Sequence, residues 1–207
     1  MGGFHFGGRL GAIVLALAVA AWIPIAAAAD LEVAAASPDP ARPTIAIDPY
    51  RYDVRFGAFA HGIGGVEHNT VDINAEFVFP RLPFGQSEWW SFAVPRPHVG
   101  GLGNVSGRTS AVYAGALWTV PLIERVFGEA FLDGAVHDGS LTGGPDEAAL
   151  GCRALFHAGF SLGYAITTEW SAMVTFDHLS NGKSLFDTPC DRNQGLNNYG
   201  VRFGYAF

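Results

Sequence analysis

The chain has 207 residues, 49% hydrophobic, 13% aromatic and only 15% charged, with 27 Gly, 12 Pro and 2 Cys. That length suits one domain, and so little charge beside so much Gly and aromatic character excludes a disordered tail and a helical bundle built on Lys, Glu and Leu. With 12 Lys+Arg against 19 Asp+Glu, a net charge of -7, no basic stripe is available to neutralise a phosphate backbone, which excludes nucleic acid as a partner.

Arg9 precedes an unbroken apolar stretch from Leu10 to Ile25 that runs into Ala26, Ala27, Ala28 and Ala29 before Asp30. This is the order of a secretory signal, a basic start, an apolar centre and a small-residue cleavage site, so residues 1–29 are expected to be removed on export. A membrane anchor would need about 20 apolar residues, more than this segment supplies. Residues 30–48 carry Pro38, Pro40 and Pro43. Pro cannot donate to a hydrogen-bonded ladder, so this stretch reads as a periplasmic lead-in.

From residue 49 to residue 207 the pattern changes to alternation with period two. Tyr50, Tyr52, Val54 and Phe56 alternate with Arg51, Asp53, Arg55 and Gly57; Val71, Ile73, Ala75, Phe77 and Phe79 alternate with Asp72, Asn74, Glu76 and Val78. Further strands are expected at about Phe92 to Val99, Ser110 to Val120, Val126 to Val136, Leu155 to Ile166 and Trp170 to His178. The last strand is the clearest, with Tyr199, Val201, Phe203, Tyr205 and Phe207 on one face and Gly200, Arg202, Gly204 and Ala206 on the other.

These are eight strands with one apolar face and one face of small and charged residues. A soluble sandwich would need an outer face polar enough for water. Small and charged residues instead suit the filled interior of a narrow barrel, and the aromatic face suits lipid. The expected fold is therefore all-β, an eight-stranded antiparallel transmembrane β-barrel of the bacterial outer membrane. Short connections at 121–125 and 167–169 alternate with long ones at 137–152 and 181–197, as periplasmic turns alternate with external loops. The connection from Pro80 to about Glu88 is long for a turn. Trp89, Trp90, Trp118 and Trp170 read as girdle residues at headgroup level. Cys152 and Cys190 fall in the two long loops, and in an exported chain they are expected to form a disulfide.

Within the lumen, Glu129 and Asp133 are expected to pair with Arg202 or Arg55. His61, His98, His137 and His157 are scattered without ligand spacing, so no metal site is expected.

The outer end of strand seven reads Phe176-Asp177-His178-Leu179-Ser180-Asn181-Gly182. His178 and Ser180 are two apart and point the same way, continuing the lipid face of Trp170, Ala172, Val174 and Phe176. Either the strand has reached the headgroups, or a hydroxyl beside an imidazole forms the minimum apparatus of nucleophilic acyl transfer.

The segment Phe176 to Asn181, then Asn193-Gln194-Gly195-Leu196-Asn197, Gly200-Val201-Arg202 and the aromatic terminus resembles the C-terminal signature of PagL-type lipid A 3-O-deacylases. The match covers roughly the last 55 residues, from Gly151-Cys152-Arg153 to Phe207, with an echo at Val71 to Glu76. The resemblance implies an exported serine esterase of the outer membrane that removes the ester-linked 3-hydroxyacyl chain at position 3 of lipid A. It gives His178 as general base, Ser180 as nucleophile and Asn181 as an oxyanion contributor. Lipid A or lipopolysaccharide is then the substrate, a homodimer is a candidate assembly, and no cofactor or metal is implied. The sequence departs from the family where a Glu is usual, with Asn197 in that place. Asn197 keeps the outer face and can orient the imidazole, but it lacks the charge; Asp177, Asp187 and Asp191 are the acids nearby in sequence. His178 to Gly182 also resembles a motif of outer-membrane phospholipase A, a longer barrel that binds calcium. A non-enzymatic adhesin, structural barrel or narrow pore is the reading from another class.

Overall fold

The computed structural model describes residues 48–85 and 90–207. The expected signal peptide and all of the expected lead-in but Asp48 lie outside the described residues, as does Trp89. Eight antiparallel strands close on themselves in sequence order: β1 (Asp53–His61), β2 (Thr70–Val78), β3 (Arg96–Asn104), β4 (Ala111–Ile123), β5 (Val126–His137), β6 (Ala154–Ala165), β7 (Trp170–Ser180) and β8 (Leu196–Ala206). β8 pairs with β1 along Asp53 to Ala60, which completes the barrel and leaves no open edge.

The alternation read from the sequence decides what faces where. Val174, Phe160 and Leu162 are 64, 60 and 57% exposed on the outer wall, part of an apolar face that suits hydrocarbon and not water. Aromatic rings ring the turn end of that wall. Tyr52 packs against Phe77 at 5.8 Å and Phe207 at 6.0 Å, Phe77 against Phe79 at 4.9 Å, and Trp170 against Tyr205 at 4.9 Å. Trp118 donates its indole N–H to the carbonyl of Ala93.

The lumen is filled by charge. Arg55 donates to both oxygens of Glu129, each at 2.8 Å, and reaches Asp53 and Glu76. Glu76 also accepts from Arg202 at 2.8 Å and from Tyr113 at 2.9 Å. The expected pairing of Glu129 with Arg55 is present, but Arg202 pairs with Glu76, and Asp133 binds His98 at 2.6 Å and His157 at 2.7 Å. A closed barrel brings opposite walls within side-chain reach, which spacing along the chain cannot show.

Several strand bounds differ from the sequence reading, those of β3 most. β3 begins four residues later than expected and continues through Gly100, Gly101 and Gly103, while Phe92 sits in a short 3-10 turn, Ser91–Ala93. Gly weakens strand propensity, yet pairing on both sides with β2 and β4 holds this stretch in the sheet. β4 runs on through Pro121, where the register shifts, to a turn at Glu124 and Arg125.

At the end of the barrel opposite Asp53 and Ala206 lie four loops, L1 (62–69), L2 (105–110), L3 (138–153) and L4 (181–195). Cys152 and Cys190 are disulfide-bonded, tying L3 to L4 with a Cα separation of 5.5 Å. Closing a 38-residue interval contributes about 3 to 4 kcal/mol in the chain-entropy account. Ala148, Ala149 and Leu150 of L3 are buried, and Ala148 and Leu150 share a core cluster with Phe59, Leu155, Leu179 and Leu196. L3 thus plugs the loop end of the barrel.

Candidate active site

β7 presents Ser171, Met173, Thr175, Asp177 and Leu179 to the lumen, all buried, and the alternate residues to the outer wall. His178 and Ser180 are therefore on the outer wall near the loop end, each half-buried. His178 pairs across strands with Asn197 of β8 and with Ala158 of β6. Ser180 pairs with Phe156. Asn197 is exposed on the same wall as Tyr199 and Val201.

The imidazole is oriented by Asn197. Its Nδ1 lies 2.7 Å from Asn197 Oδ1. An amide oxygen can only accept, so Nδ1 carries the hydrogen and Nε2 is left as the basic nitrogen. Gly195, which has φ +63°, lies against the ring; a Cβ there would stand 2.9 Å from His178 Cε1. Any other residue at 195 would strain the backbone and displace the ring. Among the described residues no hydrogen bond joins Ser180 Oγ to His178; the imidazole and the hydroxyl share a face two residues apart. Such contacts commonly close only around substrate.

The side chain of Asn181 is occupied elsewhere. Its amide nitrogen donates to the carbonyls of Leu150, at 2.8 Å, and Arg192, while its oxygen accepts from Lys183 N at 3.0 Å. The side chain is spent on tying L4 to L3 and is no free oxyanion donor. Its backbone N–H, the first after Ser180, is held by Asn193 Oδ1 at 3.2 Å, so Asn193 joins the site although the sequence reading gave it no role. Asp177 points into the lumen, where Asn198 Nδ2 donates to it at 2.7 Å. Asp187 and Asp191 are exposed in L4, and among the described residues neither is hydrogen-bonded to His178.

The sequence reading also missed Glu67. This L1 carboxylate is 1% exposed and accepts from four donors: Thr109 N and Oγ1, each at 3.0 Å, Ala148 N at 2.8 Å and His61 Nε2 at 3.0 Å. Burial pushes its carboxyl pKa up, but the hydrogen bonds from His61, Thr109 and Ala148 prevail and hold it at about 2. Nothing local in the sequence marks it, because its partners lie in three separate segments.

A closed eight-stranded barrel of the outer-membrane type, with a Ser/His pair on its lipid-facing wall, defines the class of this protein. The model of the lipid A 3-O-deacylase (PagL) family matches residues 87–206, and the chain belongs to that family. Among solved structures, that of the outer membrane enzyme PagL is similar in fold, with 16% identity, 75% of this chain and 99% of that chain covered, and a TM-score of 0.53. A de novo designed transmembrane β-barrel is 12% identical over 77% of this chain and 97% of its own, with a TM-score of 0.49. The N-terminal barrel domain of Pseudomonas aeruginosa OprF is 12% identical over 75% and 97%, with a TM-score of 0.38. No curated protein matches the chain in sequence.

Proposed function

We propose that the protein is a serine esterase of the bacterial outer membrane that hydrolyses the ester-linked 3-hydroxyacyl chain at position 3 of lipid A, with its loop end outside the cell. The observation that carries this reading is the His178–Asn197 hydrogen bond on the outer wall, beside Ser180, in a chain of the lipid A 3-O-deacylase family. An ester of an outer-leaflet lipid reaches a nucleophile on that wall without leaving the membrane.

In this mechanism Ser180 Oγ attacks the ester carbonyl as its proton passes to His178 Nε2. The C–O bond to the sugar then breaks, and the imidazolium returns the proton to the departing hydroxyl. Water, deprotonated by His178, attacks the acyl-serine and frees the 3-hydroxy fatty acid. Asn197 holds the tautomer and ring plane throughout. The backbone N–H of Asn181 follows the nucleophile, the position from which many hydrolases stabilise the oxyanion; the substrate oxygen displaces Asn193 Oδ1 from it.

Purified protein is expected to release 3-hydroxy fatty acid from lipid A and to be labelled at Ser180 by a fluorophosphonate. No release and no labelling would refute the reading. Asn197→Glu is expected to raise kcat, since a carboxylate at the same register position stabilises the imidazolium that an amide only orients. Measured kcat for the two forms checks this, and an unchanged or lower value would assign the third role elsewhere.

A further inference from the structure

Glu67 is a buried carboxylate that the esterase mechanism does not use, and its four donors come from β1, L2 and L3. Taking a carboxylate out of water is costly even when it is paired, and a buried charge most credibly contributes registry. What Glu67 registers can be traced bond by bond.

Ala148, held by Glu67, begins the buried plug Ala148–Leu150. The next residue, Ala149, pairs with Gln194 of L4 in both directions, its N–H donating to Gln194 Oε1 at 2.6 Å and its carbonyl accepting from Gln194 N at 3.0 Å. Gln194 precedes Gly195, the residue against the His178 ring. Leu150 receives the amide of Asn181 and packs in one cluster with Leu179 and Leu196. Those two leucines are the inward-facing neighbours of His178, Ser180 and Asn197. A second path runs through L1 itself. Ile63 N donates to Asn197 O at 2.8 Å, and Gly62 N donates to Asn198 Oδ1 at 2.9 Å. Both paths end on the strand termini that display the candidate catalytic groups.

We propose that Glu67 is a positioning residue for this site: by fixing L3 at Ala148 and L1 against β8, it sets the strand ends that carry His178, Ser180 and Asn197. The inference rests on the esterase reading above. It makes the L1–L2–L3 junction a determinant of turnover and not of substrate binding. Misplacement of reacting groups by a fraction of an ångström is felt in the chemical step.

The test uses the full-length protein refolded in lipid vesicles, with Glu67→Gln, Thr109→Val and Thr109→Ser compared with wild type. Heat-modifiable migration and an intact Cys152–Cys190 disulfide report the folded fraction; kcat and KM on lipid A, and the rate of Ser180 labelling by a fluorophosphonate, report the site. Gln keeps the volume but turns an N–H towards donors, so kcat per folded molecule is expected to fall at least tenfold and labelling to slow in parallel, with KM within twofold. Thr109→Val removes one donor and is expected to give a smaller loss of kcat, while Thr109→Ser restores wild-type turnover. Should Glu67→Gln not fold, the Thr109 pair decides alone. Equal kcat in the Val and Ser forms, or a Glu67→Gln loss confined to KM or to the folded fraction, would overturn the proposal while leaving the esterase reading standing. A wild type that neither hydrolyses lipid A nor reacts at Ser180 would remove both.

Discussion

Ser180→Ala is expected to lower ester hydrolysis by roughly 10⁴- to 10⁶-fold, and His178→Ala by a comparable factor, with the double variant no worse than either alone, because nucleophile and base act as one unit. Both side chains lie on the outer wall and neither joins the buried lumen network. Their loss is therefore expected to leave barrel stability within about 0.5 kcal/mol of wild type, as for most surface substitutions. Initial rates on lipid A, normalised to heat-modifiable protein, check the first part; urea midpoints check the second. A Ser180→Ala protein that still turns over would show that the hydroxyl is a headgroup-level residue and nothing more.

Glu76→Ala is expected to do the reverse, damaging the barrel far from the site. Glu76 accepts from Arg55 at 3.2 Å, Arg202 at 2.8 Å and Tyr113 at 2.9 Å, all buried. Its loss leaves Arg202 with hydroxyl partners alone, Thr175 and Ser161, and breaking a buried charge network by removing one partner costs about 3 to 5 kcal/mol. The urea midpoint of folded protein in vesicles should fall accordingly. A shift below about 1 kcal/mol would mean that water enters the lumen and replaces the carboxylate. The Arg55–Glu129 pair, with two 2.8 Å bonds, would then be the main electrostatic tie across the lumen.

What the sequence disclosed follows from what is local. β8 alternates so regularly that its two faces, and with them the side on which Asn197 lies, are legible from parity alone. His178 and Ser180 share a face for the same reason, and two cysteines in an exported chain point to one bond. β3 was misplaced because its glycines carry no facial preference, and only its pairing with β2 and β4 defines it. The lumen partners were legible as a class but not as pairs: Arg202 meets Glu76 across 126 residues of chain, and Glu67 meets Ala148 across 81. The resemblance gave Asn181 an oxyanion role without choosing between its side chain and its backbone N–H; the contacts that occupy the side chain, with Leu150 and Arg192, depend on loop packing and not on local sequence. Periodicity fixes which face a residue takes, whereas barrel closure and loop packing decide which residue it meets.

Cleavage of one ester of lipid A at the outer wall of this barrel is the proposed activity. It is tested most directly by mass spectrometry of lipid A from cells that carry the wild-type protein, Ser180→Ala or neither. Loss of one 3-hydroxyacyl unit, from position 3, is expected in the wild type alone. Lipid A of unchanged mass in all three, or turnover of phospholipids in its place, would contradict it.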